Sequence, residues 1–189
     1  MVSIGRQVIT GTPRIVDNLH VMLALGNEQA SASLKDILLR NRISVFAASN
    51  NRDAVDQMLT HSYNMIVIDE NFPDLGGIDF CRFLRLTNSP MAVAPIVFGI
   101  HEPNQKKVIA ARDAGATKIA VMPFSGASLM KAMQAAAEDA RVIIQDTSYN
   151  GPDRRLRVAP PPGGVDRRKN QPEVIDRAAQ LKILTGGEN

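Results

Sequence analysis

Met65-Ile66-Val67-Ile68-Asp69-Glu70-Asn71-Phe72-Pro73-Asp74-Leu75-Gly76-Gly77 is the stretch around which the chain is organised. Four consecutive apolar residues, Met65 to Ile68, read as a short strand buried on both faces. The acid Asp69 follows at once. Pro73 and the pair Gly76-Gly77 then force a loop before any helix can begin. In a parallel α/β sheet the carboxyl ends of the strands open onto the ligand crevice, so a carboxylate at this place is a candidate reaction centre.

The rest of the chain supplies the other units of such a sheet. Upstream, residues 20–25 and Ile43–Ala48 read as strands. Between them Ala30, Leu34, Ile37 and Leu38 recur at helical spacing over Gln29–Arg40. Asn50 can cap a second helix reaching about Thr60, with Ala54, Val55, Met58 and Leu59 as its buried stripe. Downstream, a helix from Ile78 to about Leu86 buries Cys81 and Leu84, and Ala94–Ile100 is a fourth strand. Pro103 suits the first turn of a helix that buries Val108, Ile109 and Ala111 and stops near Gly115. Lys118–Val121 is a fifth strand. Ser125 can cap a long last helix carrying Leu129, Met130, Met133 and Val142. Five strands alternating with five helices predict an α/β doubly wound, five-stranded parallel sheet of order 2-1-3-4-5.

Composition narrows the function classes. At 4% aromatic residues and no Trp, an aromatic-lined carbohydrate or nucleic-acid platform is not expected. The single Cys81 excludes an intramolecular disulfide and suits a reducing cytosol. No run reaches the roughly 18 apolar residues needed to span a bilayer, and residues 1–14 lack a signal-peptide core. The expected location is cytoplasmic. The net charge of +3 is unevenly spread. Residues 147–189 carry eight cations against five anions, which accounts for the whole excess, so an anionic partner is sought in the tail.

The 65–77 stretch resembles the phosphoacceptor strand and loop of CheY-like response-regulator receiver domains, and Pro73 to Gly77 has the spacing of that family's Pro-x-x-x-Gly turn. The resemblance covers about residues 20–146. It implies that Asp69 stands at the phosphoacceptor position. It also implies an acidic pair after the first strand to hold Mg²⁺, a Thr or Ser ending the fourth strand, and a Lys before the Pro after the fifth. This chain has Leu25 and Gly26, Ile100, and Met122 before Pro123. Glu28 falls where the first helix starts, and Lys118 lies at the wrong end of its strand. Phosphoryl transfer depends on positioning and charge stabilisation. The expectation is therefore a pseudo-receiver that is not an enzyme, with the Mg²⁺ site lost, no other cofactor, and Asp69 inactive as a phosphoacceptor. His20, His61 and His101 fall on different elements without metal-ligand spacing and read as surface or core residues.

The tail holds a repeat. Gly151-Pro152-Asp153-Arg154-Arg155 recurs thirteen residues later as Gly164-Val165-Asp166-Arg167-Arg168, across a Pro/Gly spacer. The composition of residues 147–171 predicts disorder in isolation. An Arg guanidinium can stack on a purine or grip guanine O6 and N7, an Asp can accept from guanine N1 and N2, and the second Arg can offset a phosphate. Two such units suit a ligand with two guanines and two phosphates, such as cyclic di-GMP. The tail resembles the arginine-rich extension of Cle proteins, CheY-like effectors that bind cyclic di-GMP through repeated G-P-[DE]-R-R motifs. That resemblance implies a ligand site at Asp153, Arg154, Arg155, Asp166, Arg167 and Arg168, with Val165 a departure from the motif. It further implies a protein partner such as a flagellar-motor or kinase component.

Residues 172–184 predict a last short amphipathic helix, started by Pro172 and stopped by Gly186, that packs back on the body or binds a partner. The division expected is thus an arm over 1–19, a receiver-like domain over 20–146, the repeat tail over 147–171, and the helical end over 172–189. A DNA-reading helix-turn-helix is not expected in the 43 residues after 146. Two alternatives stand beside the cyclic di-GMP effector: a phosphorelay receiver acting through Asp69, and a scaffold whose tail binds polyanions non-specifically.

Overall fold

Apolar runs of four and five residues, each bounded by a polar or glycine-bearing turn, build the central sheet. The computed structural model describes residues 18–146, 149–154 and 172–186. The order along the chain is β1 (His20–Ala24), α1 (Glu28–Arg40), β2 (Ser44–Ala48), α2 (Asn51–Met58), β3 (Met65–Asp69) and α3 (Gly77–Leu86). A 3₁₀ turn over Pro90–Val93 leads to β4 (Ile96–Ile100), α4 (Gln105–Asp113), β5 (Lys118–Val121) and α5 (Gly126–Ala137). The five strands form one parallel sheet of order β2-β1-β3-β4-β5. This is the doubly wound sheet that the sequence pattern predicts.

Side chains alternate between the two faces of β3, as the period of two requires. Met65 and Val67 join a cluster with Leu34 and Leu38 of α1 and Leu129 and Met133 of α5. Ile66 and Ile68 join a second cluster with Phe80, Cys81 and Leu84 of α3 and Ala111 of α4. All five residues of β3 are buried, Asp69 included. Asn27, Asn50 and Asn104 cap α1, α2 and α4 through their side-chain oxygens, and Ser125 caps α5 in a capping box with Ser128.

Four local expectations need correction. Leu59 is exposed, because α2 ends at Met58 and Leu59 is its cap. Val108 and Ile109 are also largely exposed: α4 meets the sheet through Ala111 and Ala114, and the two larger residues lie to one side of that stripe. Pro103 precedes α4, whose cap is Asn104. The long last helix stops at Ala137. Beyond it, Asp139 accepts from the Arg141 amide at 2.9 Å and pairs with its guanidinium at 2.6 Å, closing a turn. Val142 and the β-branched pair Ile143-Ile144 then run extended.

That extended run begins a second, antiparallel sheet. β6 (Ile143–Gln145) pairs with β7 (Asn150–Pro152) on one side and with β8 (Glu173–Ile175) on the other. Residues 150–152 therefore form a strand against the body, within the stretch 147–171 whose composition predicts disorder in isolation. Glycine is the reason. A Cβ on Gly151 would lie 2.8 Å from Gly115 Cα, and a Cβ on Gly115 would lie 2.7 Å from Asn150 O. Two glycines let the backbones meet where any larger residue would hold them apart. Pro172 does not open a helix; α6 (Arg177–Thr185) starts four residues after Glu173, capped by Asp176 and stopped by Gly186 in the left-handed conformation. It packs back on the body. Gln180 Nε2 donates to Val93 O at 2.6 Å, Arg177 donates to Ala137 O, and Leu184 joins both main clusters.

The buried Arg85 of α3 links the body to this extension. Its Nε and Nη2 donate to Gly115 O at 2.9 and 2.7 Å, and its Nη1 donates to Ala92 O and Ala94 O at 2.7 and 2.8 Å. Its own carbonyl accepts from Asn150 Nδ2 at 2.6 Å. Burial pushes the guanidinium below its usual pKa.

Candidate functional site

Asp69 ends β3 at the mouth of the sheet, 2% exposed. Its Oδ1 accepts from the Asn71 amide at 2.9 Å and its Oδ2 from the Gly26 amide at 3.2 Å. A third group completes the shell: His101 Nε2 lies 3.1 Å from Oδ1 and 3.2 Å from Oδ2. An ionised carboxylate only accepts hydrogen bonds, so the tautomer that fits carries the proton on Nε2. His101 is held from behind, its amide donating to Glu70 Oε1 at 2.7 Å, and Lys107 of α4 pairs with Glu70 at 3.0 Å. From the sequence His101 is expected to be a surface or core residue with no part in a site. Parallel strands bring it to Asp69, because β4 runs beside β3 with Gly99 opposite Asp69 and His101 just past the strand end.

The walls around this carboxylate are mostly apolar, with Asn27, Gln29 and Ser33 adding polar groups on the α1 side. A cleft of about 370 Å³ is lined by Leu25, Asn27, Ala30, Met122 and Pro123 together with Asp69 and His101. Gly26 packs against the loop after β3 so closely that a Cβ would lie 2.5 Å from Asn71 O. Glu28 opens α1 and is exposed. Lys118 pairs in register with Val97 and Met122 follows Val121, which pairs with Ile100. Asp69 is level with Gly99 and so with Ala120, and Lys118 therefore sits two residues, about 7 Å of strand, below the level of Asp69. Among the described residues, no group of three or more His, Cys, Asp or Glu side chains could hold a metal ion.

The arginine repeat divides between what is described and what is not. Asp153 and Arg154 are described; Arg155, Asp166, Arg167 and Arg168 lie outside the described residues, as does most of the stretch 147–171. The Asp153 amide donates to Val142 O at 2.9 Å, which extends the β6–β7 ladder by one bond. Arg154 leaves the ladder and meets the body. Its Nη1 lies 3.2 Å from Asp113 Oδ1, and its guanidinium sits 3.9 Å from the centroid of the Tyr149 ring. Tyr149 is fixed in turn by its hydroxyl, which donates to Pro152 O at 2.7 Å, and by its amide, which donates to Asp146 Oδ1 at 2.8 Å. The Gly-Pro half of the first unit is thus docked through the backbone, and Arg154 of the charged half is docked through its side chain. Neither Tyr149 nor Asp113 carries a sequence signal for this role; only the pairing of β6 with β7 brings them to Arg154.

A family model described as "Response regulator receiver domain" matches residues 21–134. Among curated proteins, the chain is similar to the response regulator ArlR of Staphylococcus aureus, 26% identical over 115 residues, which are 60% of this chain and 51% of ArlR. The chain thus spans about half the length of the curated relatives it matches. Among solved structures it is similar to the receiver domain of the Francisella response regulator 1452 (23% identity, TM-score 0.57, 64% of this chain and 98% of that one). It is also similar to the Vibrio cholerae chemotaxis response regulator CheY4 (22%, 0.58, 63% and 98%). A third is the receiver domain of the Pseudomonas aeruginosa sensor histidine kinase PA1611, solved with a magnesium ion in its active-site cleft (20%, 0.57, 65% and 99%).

Proposed function

The chain belongs to the response regulator receiver domain family, and on that premise we propose that it is a pseudo-receiver: a signalling module that works by binding, with cyclic di-GMP as the ligand of its arginine repeat. The observation that carries this reading is the doubled G-x-D-R-R unit, whose first copy is seated on the receiver body by Gly151 and presents Arg154 at its surface. Each unit offers a carboxylate for a guanine edge, a planar cation for its face or its O6 and N7, and a second cation for a phosphate. Two units match two guanines and two phosphates.

The Asp69 cleft supports the same reading from the other side. A hard cation such as Mg²⁺ takes oxygen ligands in near-octahedral order. Here the acidic pair is replaced by Leu25 and Gly26, and the backbone at Gly26 leaves no room for a side chain. An imidazole lies against both oxygens of Asp69. The residues present do not fit Mg²⁺. With Met122 in place of the Lys, a phosphoryl group arriving at Asp69 would find no fixed cation on the β5 side to take its charge.

Calorimetric titration of the full chain with cyclic di-GMP tests the reading, with GTP and duplex DNA as controls. Binding at micromolar concentration or tighter is expected, abolished by Arg154→Ala combined with Arg167→Ala. Equal affinity for all three anions, falling steeply with salt, would instead identify a non-specific polyanion tail. No binding to any of them would sink the nucleotide reading and return attention to Asp69. The protein partner contacted after binding is of the flagellar-motor or kinase class that the resemblance implies; co-purification with and without the nucleotide would identify it.

A further inference from the structure

Building on the cyclic di-GMP reading, we propose that Asp113 of the receiver body is a competing partner for Arg154, holding it when nucleotide is absent and setting how tightly the nucleotide binds. The contact uses both of the chemical modes that a guanine nucleotide would need from the same side chain. The flat face of the guanidinium is spent on Tyr149, at 3.9 Å from the ring centroid, and the Nη1 corner is spent on Asp113 at 3.2 Å. A base that stacks on the face of Arg154 now turned to Tyr149 must replace that ring or slide between the two. A phosphate or a guanine O6/N7 edge that takes a pair of N–H groups including Nη1 must displace the Asp113 carboxylate, which also repels an anionic ligand at this distance.

Asp113 is equipped for the exchange. Arg112 pairs with it at 2.9 Å, so the carboxylate keeps one cation when Arg154 departs. Partial burial pushes its carboxyl up, yet hydrogen bonds from Arg112 and Arg154 outweigh that and hold it below the usual range. It is therefore a full negative charge at neutral pH. Arg154 and Asp113 are 39% and 35% exposed, and half-exposed ion pairs of this kind contribute little, so the latch is light enough for a ligand to open. Its position gives it a consequence. Asp113 is the last residue of α4, whose first turn is tied through Lys107 to Glu70, next to Asp69. Beside it, Arg82, Leu86, Ala114, Tyr149 and Asn150 line a small cleft of about 120 Å³. Withdrawal of Arg154 uncovers the Tyr149 ring and Asp113 at this cleft, so the ligand changes the surface of the body as well as the tail.

The test uses the full chain in two measurements. In calorimetry, Asp113→Asn is expected to bind cyclic di-GMP about two- to fivefold more tightly than the wild type. In nuclear magnetic resonance with ring-labelled tyrosine, the chain gives signals from only two tyrosines, and Tyr63→Phe assigns them. The Tyr149 ring signals are expected to shift on adding nucleotide, and to shift in the same direction in Asp113→Asn without any. If the wild type binds, Asp113→Asn binds equally or more weakly, and the Tyr149 signals stay put, the latch is wrong and the nucleotide reading stands. If the wild type does not bind, both fall together.

Discussion

His101 Nε2 lies 3.1 Å from Oδ1 and 3.2 Å from Oδ2 of Asp69, centred on the carboxylate rather than on either oxygen. With the Gly26 and Asn71 amides, it gives a 98% buried acid three hydrogen-bond donors. A carboxylate so engaged is a poor nucleophile, because attack would cost it these bonds without a cation to stabilise the product. Incubation with acetyl phosphate and Mg²⁺ is expected to leave the intact mass unchanged. His101→Ala is expected to leave it unchanged as well, since Leu25, Gly26 and Met122 remain. An adduct that disappears in Asp69→Asn would overturn the pseudo-receiver reading.

Gly151→Ala tests the docking of the first arginine unit. The added methyl would meet Gly115 Cα at 2.8 Å, closer than van der Waals contact, on a backbone with φ of +150°. Overpacking of this kind costs about 1–3 kcal/mol, which is enough to undock a three-residue strand. Amide exchange at residues 143–145 and 149–151 is expected to accelerate, with the five-stranded sheet still protected. The same variant frees Arg154 from Asp113 by distance. Unchanged protection in the β6–β7 pair would show that the glycine contact is not what orders it.

Arg85→Met is expected to destabilise the fold by about 3–5 kcal/mol in denaturant titration. Methionine matches much of the volume, but it leaves the carbonyls of Ala92, Ala94 and Gly115 without the donors they now share. Arg85→Lys is not expected to rescue, because one ammonium cannot span three carbonyls that a planar fork reaches together. A loss below about 1 kcal/mol for Arg85→Met would mean that these carbonyls find other partners.

What the sequence discloses and what it hides follow from the range of the interactions. The order of the sheet was legible, because each strand is a local apolar run and two of the helices announce themselves by a cap: Asn50 and Ser125 do what their positions predict. The identities at Leu25, Gly26 and Met122 could be read directly once the strand ends were known. His101 was not legible as a partner of Asp69, since the two are 32 residues apart and meet only through strand register. The antiparallel β6–β7–β8 sheet was hidden for a related reason. Its strands are three residues long, too short to show a period, and β8 is separated from β6 by the whole repeat. Composition averaged over 147–171 points to disorder, and it conceals that Tyr149 to Pro152 have a glycine-lined seat on the body. Val108 and Ile109 mislead in the opposite sense: an apolar residue on a short edge helix need not face the sheet.

Cys81 gives a pH signature of the packed α3. Burial pushes its thiol up to about 11, the opposing effects of Arg85 and Arg82 being smaller, and its Sγ donates to Ala114 O at 3.3 Å. The raised value fixes the sign. The folded chain holds the proton more tightly than the unfolded chain, whose thiol titrates near 9.0. The protonated thiol's contribution is therefore complete below pH 9 and is lost as the pH rises from about 9 to about 11. A two-unit difference corresponds to on the order of 2–3 kcal/mol across that window. Lysines and tyrosines titrate there too, so the informative quantity is the difference between the wild type and Cys81→Ala. The variant starts less stable, having lost a buried side chain, and its stability is expected to fall less steeply between pH 9 and 11. At pH 8 the native thiol should be inert to a disulfide reagent and react only at the rate of unfolding. Rapid native-state labelling at pH 8, or parallel pH profiles for the two proteins, would show that Cys81 is not held in this buried, protonated state.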